Sequence, residues 1–354
     1  MPNVIFGGIA SKLKPKETPP PLSEWIINKG LRHDRGGFFS FEQHRFLLGP
    51  CDDWTKIQGT QKSAQIGFTC MMIPKVIYAA KYLGYSIIYT VPSGQDVKRL
   101  EGSKVAPIID LNPVLREMVD ESVETIERKK VDNNFIYFQG TITEQAALTV
   151  SSDLNIHDES DRSNQDRIEQ YVSRQNFSPY KGRWFFSNPS GPNVGASAVF
   201  ERSDKKRWLV KCRHCGDESD LSWPDSICPE RKFYQCKKCH QPLSDDDRRG
   251  GRWVAERPDI DISGYHISQL MAPWITAEEL IYSFETKPTD IFYNYDLGLP
   301  YISDNYIDEQ IILDRIVSIN REEMIGMPYA LGVDVGLEKH YVLGNAKGIV
   351  EIGS

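Results

Sequence analysis

No stretch of this chain is apolar for long enough to cross a membrane. The most apolar region, Ile73 to Val91, is broken by Lys75 and Lys81, so we expect no membrane partner. The first residues also lack a charged-then-apolar leader pattern. An excess of positive charge is missing too: 42 Lys and Arg stand against 49 Asp and Glu, a net charge of −7. Bulk attraction to nucleic acid is thereby excluded, and any polyanion site must be a local basic stripe on an acidic body. Cysteines are few, seven in 354 residues, and four of them fall in two close pairs. Cys51, Cys70 and Cys228 are scattered. That distribution argues against a disulfide framework and for metal binding in a reducing compartment. The length allows about two to three domains.

What is present is organised around residues 61–69. Trp54 to Thr60 reads as a strand, and Met71, Met72, Val76, Ile77 and Ala80 have helical spacing. Between them runs Lys62-Ser63-Ala64-Gln65-Ile66-Gly67-Phe68-Thr69. Strand, small-residue loop and helix point backbone N–H groups and a helix N-terminus at one anionic pocket, so we expect a phosphate loop. Thr69 offers a hydroxyl to Mg²⁺. The usual pattern sets Lys directly after the last Gly; here Phe68 stands there, and Lys62 leads the loop. On local pattern alone, a polar turn fits as well. Upstream, Phe38, Phe39 and Phe41 precede Gln43, which opens a helix through Leu48. Gln43 can hydrogen-bond an adenine edge while a ring stacks on the base; a surface Gln beside an aromatic cluster is the other reading.

Downstream, Ser86 to Val91 reads as a buried strand and Ser93 to Lys104 as a helix carrying Lys98, Arg99 and Lys104. That helix is either a DNA-backbone contact or a solvated face. Glu124 to Tyr137 reads as a hairpin turning at Asp132 to Asn134. Leu154 to Glu159 is a short strand ending in two acids. At such a strand end Asp158 can hold Mg²⁺ and Glu159 can orient or deprotonate water. Asp166 to Phe177 reads as a helix with Arg167 and Arg174. Arg183 to Pro189 is a further strand, where Ser187 or Asn188 can sense a γ-phosphate. The alternation of strands and helices specifies an α/β sheet.

Cys212 and Cys215, then Cys236 and Cys239, have the spacing of a structural four-thiolate zinc site. Lys205, Lys206, Arg207, Lys211, Arg213, Arg231, Lys232, Lys237 and Lys238 surround them, with Trp208, Phe233 and Tyr234 interleaved. Nucleic-acid grip, protein docking and a folding role all stand open. Asp245 to Gly251 reads as a polar loop, Ile262 to Met271 as a strand, Ala277 to Glu285 and Ile307 to Ile319 as helices. The aromatic-rich run Tyr293 to Tyr301 is expected to pack back on the core. Ala330 to Gly336 is a strand holding Asp334 between glycines, the setting of a nuclease metal ligand. Two-metal nucleases need several converging carboxylates, and no further acidic strand end follows, so we expect an incomplete nuclease.

Together these residues resemble the large terminase subunit of tailed bacteriophages, in the lambda-like group. Lys62 to Thr69 is similar to that group's phosphate loop, where Lys leads. Asp158-Glu159 looks like its acidic pair and Ser187-Asn188 like its coupling motif. The four cysteines and the Asp334 strand follow in the same order. The resemblance implies a P-loop ATPase of RecA/ASCE type with a central, mostly parallel sheet, an inserted zinc ribbon and the beginning of an RNase H-like nuclease domain. We expect an arm over 1–37, an ATPase core over 38–205, the ribbon over 206–250, a linker or lid over 251–326 and nuclease strands over 327–354.

It further implies an ATP-driven motor that moves double-stranded DNA into a procapsid, in the host cytoplasm, using ATP, Mg²⁺ and Zn²⁺. The implied partners are DNA, a small terminase subunit, the portal and further copies in a ring. Gln65 stands where many members carry an Arg, whose part then falls to Arg162, Arg174 or a neighbouring subunit. A helicase-like DNA-stimulated ATPase and a non-enzymatic zinc-ribbon scaffold are the alternatives.

Overall fold

The computed structural model describes residues 20–142, 150–301, 328, 330–335, 339–345 and 348–353. Most of the expected N-terminal arm, and the expected helix Ile307 to Ile319, lie outside the described residues. The chain divides into two compact units, Met1–Ile302 and Ser303–Ser354.

The first unit is built on strands β1 (Ile57–Lys62), β2 (Ile87–Val91), β3 (Arg128–Val131), β4 (Asn134–Gly140), β5 (Leu154–Asp158) and β6 (Gly182–Ser187). The chain then leaves this sheet for β7 (Arg207–Lys211), β8 (Glu218–Asp220), β9 (Ile227–Cys228), β10 (Phe233–Tyr234) and β11 (Arg252–Val254). It returns as β12 (Ile262–Ile267), beside β1. The seven-stranded order is β12-β1-β6-β5-β2-β4-β3. All neighbours run parallel except β3, which pairs antiparallel with β4 through the expected hairpin. Strands β2 and β5 are buried along their whole length, which explains their near-continuous apolar runs: both faces are covered by helices. One strand, β6, separates β1 from β5, the arrangement of a RecA/ASCE-like ATPase with a mixed sheet.

The helix Phe68–Tyr78 follows β1 and buries Met71, Met72, Ile73, Val76 and Ile77. Its Lys75 is fully buried. The Lys75 ammonium donates to the carbonyls of Pro50 and Asp53, at 2.6 and 2.7 Å, and lies under the rings of Trp184 and Trp54. Burial pushes its pKa down to about 8. A cation there is tolerated only because carbonyls and ring faces replace its water.

Several elements differ from expectation. Gln43 does not open a helix; a short 3₁₀ turn begins at Arg45 and a helix runs over Leu48–Asp52. The expected polar loop after Ser244 is a helix, Asp245–Arg249, stabilised by a reciprocal capping box between Ser244 and Asp247. Three strands, β11-β7-β8, and the β9–β10 hairpin form the cysteine module, so its sheet extends to Val254.

The second unit holds an antiparallel sheet of β13 (Ala330–Val335), β14 (Lys339–Asn345) and β15 (Gly348–Gly353). Asp334 lies in β13, its backbone opposite His340.

Candidate active site and metal centre

Parallel register brings the ends of four strands level: Gln61 pairs with Ser187, Lys62 with Ile267, and Asp158 with Phe186. Here the loop Ser63–Gly67 turns into the helix. Gly67 has φ +81°, a left-handed conformation that costs a side chain dearly and glycine little. Gln65, at φ 62°, is exposed at the loop's tip. Among the described residues, no acceptor takes the backbone N–H groups of Gln65, Ile66 or Gly67. Phe68, where a lysine usually stands, is core: its ring packs on Phe186 with centroids 4.9 Å apart.

Lys62 is the last residue of β1 and only 5% exposed. Its Nζ donates to Glu159 Oε1 at 2.7 Å. Burial pulls the ammonium's pKa down; the Glu159 and Asp158 carboxylates outweigh it and hold the pKa above the ordinary lysine value. Asp158 Oδ2 accepts from Tyr89 OH at 2.8 Å and from Thr69 Oγ1 at 3.2 Å. Its other oxygen, Oδ1, is buried with no partner among the described residues, as is Ser63 Oγ. Burial pushes Asp158 up to about 6, against the pull of Lys62. A carboxylate and a hydroxyl that share one buried corner, with an oxygen left over, form a donor set suited to a hard divalent cation.

Glu159 leaves the strand with φ 51°, a strained conformation for a residue bearing a side chain. Its Oε2 lies 3.4 Å from Ser187 Oγ, and Asn188 Nδ2 donates to the Lys62 carbonyl at 2.8 Å. The two residues expected to couple the site to other parts thus touch both the lysine's backbone and the glutamate's side chain. Asp161 was not foreseen. It is buried, and its carboxylate accepts from the backbone N–H groups of Ser190 and Ala196 at 3.1 and 2.9 Å. Burial pushes it up to about 6 in spite of those donors. Tyr89 was also unforeseen; an aromatic in a buried strand carries no sign that its hydroxyl faces an acid. His157, buried and hydrogen-bonded to Thr90 at 2.8 Å, is pushed down to about 3 and stays neutral.

Gln43 is exposed and makes no hydrogen bond among the described residues. The ring beside the loop is that of His44. A Cβ on Gly67 would sit 3.6 Å from its Cδ2, and it packs at a tilt on Trp274 with centroids 4.3 Å apart. Of the expected basic helix, Arg99 pairs with Asp96 and Lys104 with Asp34. Arg162 is exposed three residues beyond Glu159. The Arg174 carbonyl accepts from Ser152 N, ahead of β5, at the end of that strand away from Asp158.

The last aromatic segment does pack back. Tyr295 O accepts from Ala64 N at 2.7 Å, and Ile267 O from Ser63 N at 2.8 Å. Gly298 has φ +64° and approaches so closely that a Cβ would meet Ser63 N at 2.7 Å.

The sulfurs of Cys212, Cys215, Cys236 and Cys239 lie within 4.8 Å of one another and could hold a metal ion. Cys228 stands apart from them. The surrounding basic residues are largely neutralised. Lys237 pairs with Asp220, Lys238 with Asp217, Arg213 with Asp247, Lys232 with Glu278 and Arg207 with Glu256. A free basic stripe of the kind that grips phosphates is therefore much reduced.

The fold and this corner define an ATPase. The family model of the phage terminase large subunit gpA ATPase domain matches residues 53–254, and the chain belongs to that family. Among solved structures, a mutant of the large terminase ATPase domain of Thermus phage P74-26 has the same fold, with TM-score 0.50 and 12% identity over 79% of this chain and 100% of that chain. The HK97 bacteriophage large terminase matches at TM-score 0.46 and 15% identity, over 91% of this chain and 64% of that one. The large terminase of a thermophilic bacteriophage matches at TM-score 0.45 and 14% identity, over 87% and 65%. The chain thus spans slightly less than two thirds of those two terminases. No curated protein matches it. Among the described residues, no helix is long and apolar enough to cross a membrane.

Proposed function

We propose that this chain is the packaging motor of a lambda-like terminase, which drives double-stranded DNA into a procapsid by hydrolysing ATP. The observation that carries this is the junction of Lys62 and Glu159 at 2.7 Å, beside an Asp158–Thr69 pair with one carboxylate oxygen unspent. In this reading the N–H groups of residues 65–67 receive the phosphates, and Lys62 neutralises charge on them. Mg²⁺, when bound, screens the triphosphate; Asp158 and Thr69 are the residues that would hold it. Glu159 releases Lys62 to the nucleotide and orients the attacking water. Ser187 and Asn188, in contact with Glu159 and Lys62, register the loss of the γ-phosphate. His44 and Trp274, rather than Gln43, border the base. Arg162 or a neighbouring subunit supplies the arginine that Gln65 does not.

In the same reading the four cysteines hold Zn²⁺ as a structural ribbon, over about residues 206–254. Asp334 is the first acid of an RNase H-like nuclease for cutting concatemers, and the partners are a small terminase subunit, the portal and further copies in a ring, in the host cytoplasm. The test is the ATP turnover of this chain, alone, with duplex DNA, and with procapsids. We expect turnover that DNA stimulates. DNA binding with no turnover in any of the three would overturn the motor and favour a non-enzymatic scaffold.

A further inference from the structure

We propose that Arg248 is a positioning residue for the nucleotide site, and that through it the cysteine module sets the shape of the phosphate loop. This rests on the ATPase reading of the Lys62 corner given above. Arg248 is 1% exposed. Its guanidinium donates to the carbonyls of Leu270, Ala272, Ile275 and Pro273 at 3.0 to 3.2 Å, and to the Asp245 carboxylate at 2.8 Å. It lies 3.7 Å over the ring of Tyr234, whose hydroxyl donates to Ile275 O as well. A buried cation is costly unless its donors are met; here Nε has no partner among the described residues, and the two terminal nitrogens are met almost wholly by one segment.

That segment, residues 268–275, is the back wall of the phosphate loop. Gln269 Nε2 donates to Ala64 O at 3.3 Å, and one residue before the segment Ile267 O accepts from Ser63 N. At its other end Trp274 packs on His44, the ring beside Gly67, at an interplanar angle of 39°. The segment's own turns bond Met271 N to Ser268 O, Ala272 N to Gln269 O and Ile275 N to Ala272 O, and the planar fork of donors ties those turns together at one point.

Both cysteine pairs lead to the same guanidinium. Tyr234 stands two residues ahead of Cys236. Arg213, between Cys212 and Cys215, donates to Asp247 and Ser244, the two residues that cap the Arg248 helix. A module whose basic surface is spent on ion pairs thus has a second use: it holds one side of the nucleotide pocket.

Arg248 touches the wall and not Glu159, so it acts on nucleotide affinity and leaves the chemical step alone. The experiment uses the full chain, with mant-ADP and Mg²⁺ as the binding probe and DNA-stimulated turnover as the second readout. We expect Arg248→Lys, which keeps charge but loses the fork, to raise the mant-ADP Kd and the ATP KM about tenfold while kcat changes less than about threefold. Tyr234→Phe, a milder change, should raise both about threefold with circular dichroism and metal content unaltered. Failure of the unmutated chain to bind mant-ADP would remove the ATPase reading itself. Binding by the unmutated chain with an unchanged Kd in a folded Arg248→Lys overturns the positioning role. If Arg248→Lys does not fold, an unchanged Kd in Tyr234→Phe overturns it.

Discussion

Replacing Lys62 by Met removes the only cation that, among the described residues, pairs with Glu159, and its cost can be worked through. Breaking a buried ion pair by deleting one partner ordinarily costs about 3–5 kcal/mol, because a bare charge is left behind. Here the remaining acids have another way out. Asp158 already sits at about 6 with Lys62 beside it, and loss of that cation moves it up further, so in the variant it is ready to take up a proton at pH 7. Neutralising a group one pH unit above its pKa costs about 1.4 kcal/mol, so the loss at pH 7 should be no more than about 1.4 kcal/mol. The sign with pH follows: above its pKa each further unit makes that proton dearer, so near pH 8.5 the loss grows by up to about 2 kcal/mol. Guanidinium unfolding at the two pH values measures both numbers. Turnover should fall by about 10²- to 10³-fold, since the developing phosphate charge loses its preorganised cation. A variant that hydrolyses ATP within threefold of the parent would refute the assignment of Lys62. One that loses more than about 4 kcal/mol at pH 7, or shows no pH dependence, would refute proton uptake by Asp158.

Glu159→Gln keeps the side chain's length and its contact with Lys62 but cannot accept a proton, so kcat should fall about 10³-fold with mant-ADP binding retained; unchanged kcat would remove it from the chemistry. His266 is buried, bonded to Leu297 O, and pushed by burial down to about 4. Below about pH 6.5 the unfolded chain binds a proton there that the folded chain refuses, so stability falls with pH, by about 2 kcal/mol at pH 5. His266→Gln should flatten the acid side of the stability–pH curve by that amount; a parallel curve would contradict it. The cysteine cluster should carry about one zinc per chain by elemental analysis, and a strong chelator should lower the melting temperature of the parent but not further lower that of Cys236→Ser. Equal melting with and without chelator in the parent would rule out a structural metal.

The core strands were readable because the sheet is mostly parallel and buried on both faces, which leaves β2, β5 and β6 as short dense apolar runs closed by polar residues. Asp158, Glu159, Ser187 and Asn188 stood out because each lies at the end of such a run, and Lys62 because it opens a small-residue loop ahead of an apolar helix. Tyr89 and Asp161 did not, since their neighbours in space come from other strands and from the loop before Gly195. The Asp245–Arg249 helix was read as a loop: five charged residues have no apolar stripe, and only the Ser244 and Asp247 spacing announced it. The role of the basic cluster around the cysteines stayed open in the sequence for a related reason. Its acidic partners, such as Glu256 and Glu278, lie 49 and 46 residues away in the chain.

Seating a core phenylalanine at position 68 and rooting the cation at the tip of β1 has a mechanical consequence. In the usual layout the lysine rides on the loop-to-helix junction and shares whatever flexing that junction undergoes. Here the lysine's backbone belongs to a strand hydrogen-bonded on both sides, so the root of its side chain keeps its place whatever the turn does. The Gln65–Gly67 turn lies beyond that strand. Moving the charge back to position 68 would gain no second grip, because that side chain faces Phe186 in the interior.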